Sequence, residues 1–333
     1  MIRPPESQRH RLRRLMLLGG LGLAALSTKA CSRVLADRAE AREAEAERRY
    51  PPPGRDTLVN GKRVFADIRG RGRDLVLIHG ASGNSRDFTF ALADRLAGLG
   101  FRVTSFDRPG LGWSDDLGDA GVSPLAQAAH LIGAARQFGL RRPIVLGQSY
   151  GGAVAMAWAL TDPGYTAAIV SVSGATNVWQ GGLGALTALT SGPLGSAVIA
   201  PTVAAYATMD LAKSALEKTF APDSIPPGYL EHIGVGLATR RRQFVENARQ
   251  LDGLKRHLAV MEPAYGTLRM PLEIVFGAED RTVWPSVHGE VLVRQVPGAR
   301  LTMLPGTGHM PHHSQPDAVI AAITRARDRA GQR

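Results

Sequence analysis

Short apolar runs alternate with longer segments of helical periodicity along most of this chain. The runs are four to six residues long, rich in Val, Ile and Leu, and typical of buried strands. An Asn-Gly pair at 60–61 predicts a hairpin before them. Strands are predicted at residues 74–78, 101–106, 143–146, 167–172, 272–276 and 300–304, and helices at about 85–98, 123–138, 152–161 and 315–330. This alternation predicts an α/β fold with a mostly parallel central sheet flanked by helices.

The alternation stops between Asn177 and Met270. This stretch is rich in Ala, Leu and Gly, carries apolar residues at helical spacing and is interrupted by prolines. It predicts a helical cap at about 177–268 that covers one edge of the sheet. A cap of this composition favours a hydrophobic substrate. The apolar side chains expected to line its pocket are Trp179, Leu183, Leu186, Val198 and Tyr206.

The sequence GQSYG at 147–151 lies between the predicted strand at 143–146 and the helix that follows it. A serine in a strand, sharp turn, helix unit presents its hydroxyl at the carboxyl edge of a sheet, and flanking glycines let the backbone turn tightly. Ser149 is therefore the candidate nucleophile. A Gly- and Ser-rich turn with no reactive role has the same five residues, so the rest of the chain must decide.

A serine hydroxyl needs a base to remove its proton and an acid to orient that base. In the chain order serine, acid, histidine, the acid follows a late strand and the histidine follows the next one. Asp280 comes after the strand at 272–276 and is the predicted acid, with its neighbour Glu279 as the alternative. His309 comes after the strand at 300–304, at the same edge of the sheet, and is the predicted base.

Three other histidines in this part of the sequence compete with His309. His288 lies in a predicted helix, where a solvated surface histidine is expected. His312 and His313 lie near the start of another helix, where capping groups or groups that support a site are more common than bases. His309 is therefore retained as the base.

Charge that develops on a carbonyl oxygen is stabilised by two backbone N–H groups that form an oxyanion hole. One donor normally follows the nucleophile, which here is Tyr150. The other comes from the loop after an early strand, and HGASG at 79–83 follows the predicted strand at 74–78. Ala81 is the expected donor in that loop. The side chain of His79 is expected to have a structural role in shaping it.

These motifs make the chain resemble the α/β-hydrolase family, in the branch with a helical cap. The resemblance covers about residues 56–325. It implies that Asp107 to Ser114 is a structural loop, and it disfavours haloalkane and epoxide substrates, because relatives acting on those have Asp in place of Ser149. The matching segments are LIHG at 77–80, FDRPGLGWS at 106–114, GQSYG at 147–151, GAED at 277–280 and GH at 308–309. The residues implied are the triad Ser149, Asp280 and His309 and the oxyanion donors Ala81 and Tyr150.

The resemblance predicts a serine hydrolase that cleaves a carboxylic ester of a hydrophobic substrate through an acyl-enzyme, with no metal or cofactor. One alternative is cleavage of a carbon–carbon bond in a diketone-like substrate, which capped relatives with the same triad perform. Another is a non-catalytic ligand-binding protein, since a fold does not fix an activity. The single cysteine, Cys31, allows neither an intramolecular disulfide nor a Cys-based metal site.

The amino terminus has the pattern of an export signal or a signal anchor. Arginines at 9–14 precede an apolar run at 15–26, and we predict such a segment at residues 1–36. The run is short for a membrane span, so cleavage, retention and lipidation at Cys31 all stay open. Residues 37–55 alternate Ala with charges before a Pro-rich end, which predicts a solvated helical stalk and linker. We expect a periplasmic catalytic domain; a cytoplasmic enzyme is the alternative.

The charge of the chain is concentrated near this leader. The formal net charge is +11, and the first 50 residues hold 11 Lys/Arg and 6 Asp/Glu, a net of +5, which leaves +6 for the remaining 283. No nucleic-acid-binding motif accompanies the charge, so a nucleic-acid partner is not expected. Attraction of the basic leader to anionic lipid is the simpler interpretation. Arg240 to Arg242 are expected on a solvated helix face.

Overall fold

The computed structural model describes residues 32–182 and 184–331, and its centre is an eight-stranded sheet. The strands are β1 Arg55–Val59, β2 Lys62–Arg69, β3 Arg73–Ile78, β4 Phe101–Phe106, β5 Ile144–Gln148, β6 Ala168–Val172, β7 Leu272–Gly277 and β8 Arg300–Leu304. Their spatial order is β1-β2-β4-β3-β5-β6-β7-β8. The pairs β1–β2 and β2–β4 are antiparallel and the other five are parallel. Each predicted strand is present, and Asn60 and Gly61 turn between β1 and β2 with positive φ.

Fourteen α-helices occur in the described residues. The first, α1, covers residues 32–49. The others are α2 Arg86–Thr89, α3 Leu92–Gly98, α4 Pro124–Gln137, α5 Tyr150–Thr161, α6 Ala185–Ser191, α7 Ala200–Tyr206, α8 Met209–Phe220, α9 Tyr229–Ile233, α10 Val235–Ala238, α11 Arg241–Met261, α12 Gly289–Gln295, α13 Pro311–Ser314 and α14 Pro316–Gly331. Short 3₁₀ segments at Gly118–Val122 and Glu262–Thr267 and a π-helical turn at Gly195–Ile199 complete the set.

The hydrophobic core lies on both faces of the sheet. Alternate side chains of β3 show the division: Val76 and Ile78 pack in the cluster that contains α4 and α5, whereas Leu75 and Leu77 pack with α3 and α14. Successive side chains of a strand point to opposite faces, and a parallel sheet covered on both sides buries both sets. The carboxyl ends of the parallel strands are thus held at one edge, which positions the site.

A helical cap lies between β6 and β7, as the loss of strand and helix alternation predicts. It consists of α6 to α11, which includes the 21-residue α11. No single helix of residues 32–182 and 184–331 is long and apolar enough to cross a membrane. The helices Ala185–Ser191 and Gly195–Tyr206 reach the length and hydropathy of a membrane span only when they are taken together. The two helices are bent by 89° relative to each other.

The helix predicted as a solvated stalk is instead docked on the cap. Ala39 of α1 is fully buried against Ala204 and Ala205 at the end of α7. Ala46 lies so close to Gly236 that a Cβ on that glycine would come within 2.9 Å of the alanine Cβ. The prediction of a solvated helix is therefore wrong for this face, because small residues at helical spacing let the two surfaces approach. The predicted leader at 1–36 lies outside the described residues up to Cys31.

Ion pairs hold the other end of α1 on the cap. The Glu43 carboxylate accepts hydrogen bonds from Nε and Nη2 of Arg241 at 2.9 and 2.8 Å, and from its backbone N–H. Glu47 pairs with Arg240 at 2.9 Å, and Arg242 pairs with Asp116. The expectation of a solvated face holds for Arg242, which is exposed, but is wrong for Arg240 and Arg241, whose partly buried side chains join the cap to α1. Arginine supplies several donors in a fixed geometry that suits such contacts.

Candidate active site

The turn between β5 and α5 places Ser149 at the carboxyl edge of the sheet. Ser149 has φ 53° and ψ −120°, a strained conformation for a residue with a Cβ. Its backbone N–H donates to the Val172 carbonyl at 3.0 Å, and its carbonyl accepts from Gly152 and Ala175 at 2.9 and 3.0 Å. These bonds hold the strained backbone in place. A Cβ at Gly147 would lie 2.0 Å from the Gly151 carbonyl oxygen, so the tight turn requires that glycine.

His309 and Asp280 are brought together at the same edge. The distance from His309 Nδ1 to Asp280 Oδ2 is 2.7 Å, and both side chains are buried. The other carboxylate oxygen, Oδ1, accepts from the backbone N–H groups of Thr282 and Val283 at 2.9 Å each. Glu279, the alternative acid, is exposed. The geometry therefore favours Asp280, whose oxygens are fixed by the turn.

Ser149 and His309 line one cavity of about 370 Å³. Gln148, the residue before the serine, packs against His309 from the side: its Nε2 lies 3.3 Å from the His309 carbonyl oxygen and 3.4 Å from Nε2 of the ring. The amide thus restrains the imidazole at the nitrogen that does not face Asp280. The second position of a GxSxG motif gives no sequence signal for this contact, because the partner is 161 residues away.

The two expected oxyanion donors lie beside the serine. A Cβ at Gly80 would come within 3.0 Å of the Ser149 Cβ, so the backbone that carries Ala81 runs directly past Ser149. Tyr150 begins α5, and its N–H is one of the first-turn amides that a helix leaves without an internal partner. Within the described ranges, neither amide has a hydrogen-bond partner. Both are therefore available to a ligand oxygen.

Arg108, which sequence reasoning placed only within a structural loop, fixes this region. Its buried guanidinium donates to the carbonyls of His79 and Gly80 at 3.0 Å each and lies 4.2 Å from the centre of the Tyr150 ring. His79 has the structural role expected of it: Nε2 accepts from the Arg108 N–H at 3.0 Å, and Nδ1 lies 2.8 Å from the Gly80 carbonyl oxygen. One cation thus connects the two segments that carry the free amides.

A second buried cluster joins the core, the cap and the segment after His309. Asp87 of α2 accepts from the Tyr229 hydroxyl at 2.7 Å and contacts Nε2 of His312 and of His313 at 3.1 and 2.8 Å. Its pKa is held well below the usual range, because the interactions with the two histidines outweigh the opposing effect of burial. The position of His312 and His313 near a helix start predicted a supporting role, and the cluster gives one. Within this cluster, the sequence provides no indication of Asp87 and Tyr229, which are distant from the two histidines along the chain.

The same cluster is the group of described residues that could hold a metal ion. One oxygen of Asp87 and one nitrogen each of His312 and His313 lie within 4.8 Å of one another. The distances within the cluster are those of direct hydrogen bonds, and with Tyr229 they supply three partners to a single carboxylate. Hydrogen bonding alone therefore accounts for the arrangement.

The cavity is lined by parts of the cap other than those predicted. Leu186, Val198 and Tyr206 are at least half exposed on the outer surface, and Trp179 packs on His288. Leu183 lies outside the described residues. The prediction is wrong for Trp179, Leu186, Val198 and Tyr206, because helical spacing identifies an apolar face without showing which surface it meets. The apolar cap residues that do line the cavity are Ala212, Ala215, Leu216, Ile233, Val235 and Phe244.

His288 is buried and not the solvated residue that the sequence suggested. Its Nδ1 accepts hydrogen bonds from the backbone N–H groups of Thr176 and Asn177 at 3.2 and 3.0 Å. A ring nitrogen that accepts from an amide cannot carry a proton, and burial lowers the pKa of His288 to about 4. His288 therefore fixes the chain where it leaves β6 for the cap.

We expect the protein to lose stability as the pH falls from about 6.5 to 4. Burial lowers the pKa of His79 to about 3 and those of His288 and His312 to about 4. In the unfolded chain each titrates near 6.5, so below that pH the unfolded state binds protons that the folded state cannot. The loss is on the order of 3 kcal/mol per histidine at pH 4. Thermal unfolding followed by circular dichroism across this range measures it.

The control for this prediction is His288→Gln, whose amide oxygen can accept the same two backbone bonds without titrating. The variant should show a shallower decline of melting temperature between pH 6.5 and 4 than the native chain. An identical slope in the two proteins would contradict the assignment of His288 as a buried neutral group. His257, which is partly buried and has no such backbone contact among the described residues, provides a matched His→Gln comparison.

Comparison with known proteins agrees with this geometry. The sequence matches the model of the alpha/beta hydrolase family over residues 75–322. It is 24% identical to 2-hydroxymuconate semialdehyde hydrolase from Pseudomonas putida over 273 residues. This alignment covers 79% of this chain and 90% of that protein. It is 34% identical over 113 residues to proline iminopeptidase from Saccharolobus solfataricus, a match that spans only 33% of this chain and 36% of that protein.

The fold has close structural counterparts as well. An alpha/beta hydrolase fold protein from Burkholderia ambifaria superimposes with a TM-score of 0.66 at 25% identity, covering 81% of this chain and 96% of that one. The strand order, the helices on both faces and the sharp turn at Ser149 are common features of such a fold. Since the family model spans 75–322, well over half of the sequence, the chain belongs to the alpha/beta hydrolase family.

Proposed function

We propose that this protein is a serine hydrolase that cleaves a carboxylic ester of a hydrophobic substrate through an acyl-enzyme. The observation that carries the proposal is the convergence of three features on one cavity: a serine on a strained turn, a buried His309–Asp280 pair, and two unpaired amides. A nucleophile, a base with its orienting acid and a site for an oxyanion are the parts that acyl transfer requires.

The roles follow from the atoms that face one another. His309 donates a hydrogen bond from Nδ1 to Asp280, so Nε2 carries no proton. Nε2 can then take that of the Ser149 hydroxyl in place of its 3.4 Å contact with the Gln148 amide. Ser149 Oγ attacks the ester carbonyl, and the N–H groups of Ala81 and Tyr150 stabilise the charge on its oxygen. His309 then protonates the leaving alcohol, and water releases the acid from the acyl-enzyme by the same steps.

The lining of the cavity favours an uncharged substrate. None of the described residues that line it is Lys or Arg, and its only carboxylate, Asp87, is already occupied by Tyr229 and two histidines. An anionic group placed there would lose its hydration without gaining a cation. The Ala, Leu, Ile, Val and Phe side chains of the cap instead suit an alkyl or aryl chain.

This charge balance supports ester cleavage over the carbon–carbon alternative. The relative from Pseudomonas putida is named for 2-hydroxymuconate semialdehyde, a substrate that bears a carboxylate. A pocket for such a substrate needs a positive partner, and the lining of this cavity supplies none. We therefore favour the ester, with carbon–carbon cleavage as the second candidate, because the same triad supports it.

A matched pair of esters tests the proposal. We expect rapid hydrolysis of p-nitrophenyl hexanoate and at least about tenfold lower kcat/KM for the p-nitrophenyl monoester of adipic acid, which ends in a carboxylate, because that charge must be desolvated without a partner. Release of p-nitrophenol at pH 7 gives both rates. A vinylogous diketone acid, assayed in parallel, is the substrate that tests carbon–carbon bond cleavage.

Three outcomes would contradict the proposal in different ways. Preference for the adipate ester would show that the cavity accepts an anion. Turnover of the diketone acid without ester turnover would establish the carbon–carbon alternative. Failure of a serine-directed phosphonate to label the protein would favour a non-catalytic ligand-binding role.

We also propose that the amino-terminal segment holds the protein at a membrane with the hydrolase domain on the periplasmic side. The support is the order of the leader, in which arginines at 9–14 precede the apolar run at 15–26. Because α1 docks on the cap, the helix that follows the leader is held against the cap and is not a free stalk.

A further inference from the structure

Half of the large exposed apolar side chains in the described residues lie on one stretch of the cap. Seven of the fourteen large exposed apolar residues in the described ranges lie between residues 186 and 211. Exposed apolar residues are common singly, whereas a concentration of them marks an interaction site. The six most exposed of these seven, here named the apolar cap face, are Leu186, Leu189, Leu194, Val198, Tyr206 and Leu211.

The surrounding sequence carries no charge. Residues 173–209 contain no Asp, Glu, Lys, Arg or His, although α6 and much of the segment between α6 and α7 are exposed, as are Thr202 and Tyr206 of α7. About a quarter of the residues of an ordinary soluble domain are charged. An exposed segment of this length without any charge therefore resembles a surface that meets an apolar environment.

The path of the chain before α1 indicates what that environment is. Leu35 and Ala39, near the start of α1, pack on Ala204 and Ala205 of α7, while the end of the helix lies near α10 and α11. The basic and apolar leader at 9–26 therefore joins α1 at the end beside the apolar cap face. The segment of membrane-directed composition thus precedes, in the sequence, the point where α1 begins beside this uncharged apolar surface.

Positive charge borders the apolar cap face at this point. The Arg38 guanidinium lies over the Tyr206 ring at 4.7 Å and donates to the Ala205 carbonyl at 2.9 Å. Arg42 donates to the carbonyls of Ala205 and Ala207 at 3.1 and 2.6 Å. Arginines and a tyrosine at the border of an apolar surface suit the headgroup region of an anionic bilayer.

Helix α8 connects this surface with the proposed active site. Leu211 points outward, whereas Ala212, Ala215 and Leu216 line the cavity that contains Ser149. The surface and the cavity are thus separated by about the width of one helix, roughly 10 Å. A substrate leaving the surface has a short path to the nucleophile.

We propose that the apolar cap face rests on a lipid bilayer and that the substrate is a membrane-partitioned acyl ester. The proposal deepens the ester hydrolase function and rests on it for the substrate; the contact with lipid can be tested separately. A bilayer, rather than a second copy of the chain, is the occupant that the adjoining leader and the bordering arginines favour.

Site-directed spin labels measure the contact in the full-length chain. Cys31 is the only cysteine, so Cys31→Ser gives a background for single labels at Leu186→Cys and Leu194→Cys, with Leu58→Cys on the edge strand β1 as a control that is 63% exposed. In phosphatidylglycerol–phosphatidylcholine vesicles, the ratio of oxygen to nickel-complex accessibility should be about fivefold higher at the two cap positions than at Leu58, because apolar lipid favours oxygen.

Equal accessibility at all three positions would overturn the proposal. Dipolar broadening at Leu186 and Leu194 without increased oxygen contact would also overturn it, in favour of a second copy as the occupant. Neither result depends on the activity of the protein.

Activity of the double variant Leu186→Asp/Leu194→Asp tests the substrate class. Hydrolysis of phospholipid in vesicles should fall about tenfold, because charged side chains resist insertion into lipid. Turnover of soluble p-nitrophenyl hexanoate should stay at the native level, which also shows that the variant folds. Leu58→Asp is the matched control and should change neither rate. Unchanged vesicle hydrolysis would defeat this inference, whereas lack of hexanoate turnover by the native protein would defeat the ester hydrolase function.

Discussion

Ser149→Ala is expected to lower the kcat for p-nitrophenyl hexanoate by about 10⁴-fold or more, because loss of the nucleophile removes the acyl-enzyme route. The fold should be preserved. The strained backbone at this position is held by bonds from its own N–H and carbonyl to Val172, Gly152 and Ala175, none of which involves the hydroxyl. Stopped-flow or steady-state release of p-nitrophenol measures the rate, and thermal unfolding measures the stability.

Ser173→Ala is the matched control. Ser173 directly follows β6, has a positive φ of 45° and is buried, so the same substitution is made in a similarly unusual backbone. It does not line the cavity, and its variant should keep native turnover and phosphonate labelling. Labelling should vanish only in Ser149→Ala. Native-level turnover in that variant would remove Ser149 from the proposed mechanism.

The parts of the molecule that the sequence predicts well are those set by local physics. Strands β3 to β8 are short apolar runs that end in turn residues, and each occurs within two residues of its predicted bounds. The turn at 147–151 is likewise local in part, since a Cβ at Gly147 would clash with the Gly151 carbonyl four residues away, whereas the space at Gly151 is limited by the distant Ile78 and His79. Local propensity and apolar periodicity act on the same chain segment, so one sequence window contains the signal.

Features that depend on distant partners were missed or wrongly interpreted. Helical spacing identified an apolar face at Leu186 and Val198, but tertiary packing left both on the outer surface of the cap. The face of α1 that docks on the cap is marked by alanines, which give no directional signal by themselves. The sequence predicts a solvated His288, because the two backbone N–H groups that bond to it are more than 100 residues away and leave no signal in the sequence around it.

Supporting residues show the same limit within the site. Arg108 was expected only as part of a loop, yet its contacts with His79, Gly80 and Tyr150 fix both segments of the proposed oxyanion hole. Asp87 gave no sequence signal, since its partners lie on α9 and α13. The reacting groups follow motifs, whereas the groups that hold them are determined by the three-dimensional packing of the cap and the core.

The choice between Asp280 and Glu279 was left open by the sequence, and substitution decides it functionally. Asp280→Asn is expected to reduce kcat by about 10⁴-fold. Oδ1 of Asp280 accepts two backbone N–H bonds, so an asparagine must place its oxygen there and its NH₂ toward His309 Nδ1. That NH₂ forces the imidazole to accept at Nδ1 and to carry its proton on Nε2. The ring then cannot take the proton of Ser149.

Glu279→Gln is the control, because the Glu279 side chain is exposed and its loss should leave kcat within about twofold of the native value. Both substitutions remove one negative charge from adjacent positions, so a general change in the field of the site would affect them similarly. Steady-state rates with p-nitrophenyl hexanoate, with melting temperatures for each variant, separate catalysis from folding. A larger loss in Glu279→Gln would transfer the orienting role to that residue, whereas a loss below about tenfold in Asp280→Asn would show that His309 does not depend on a fixed tautomer.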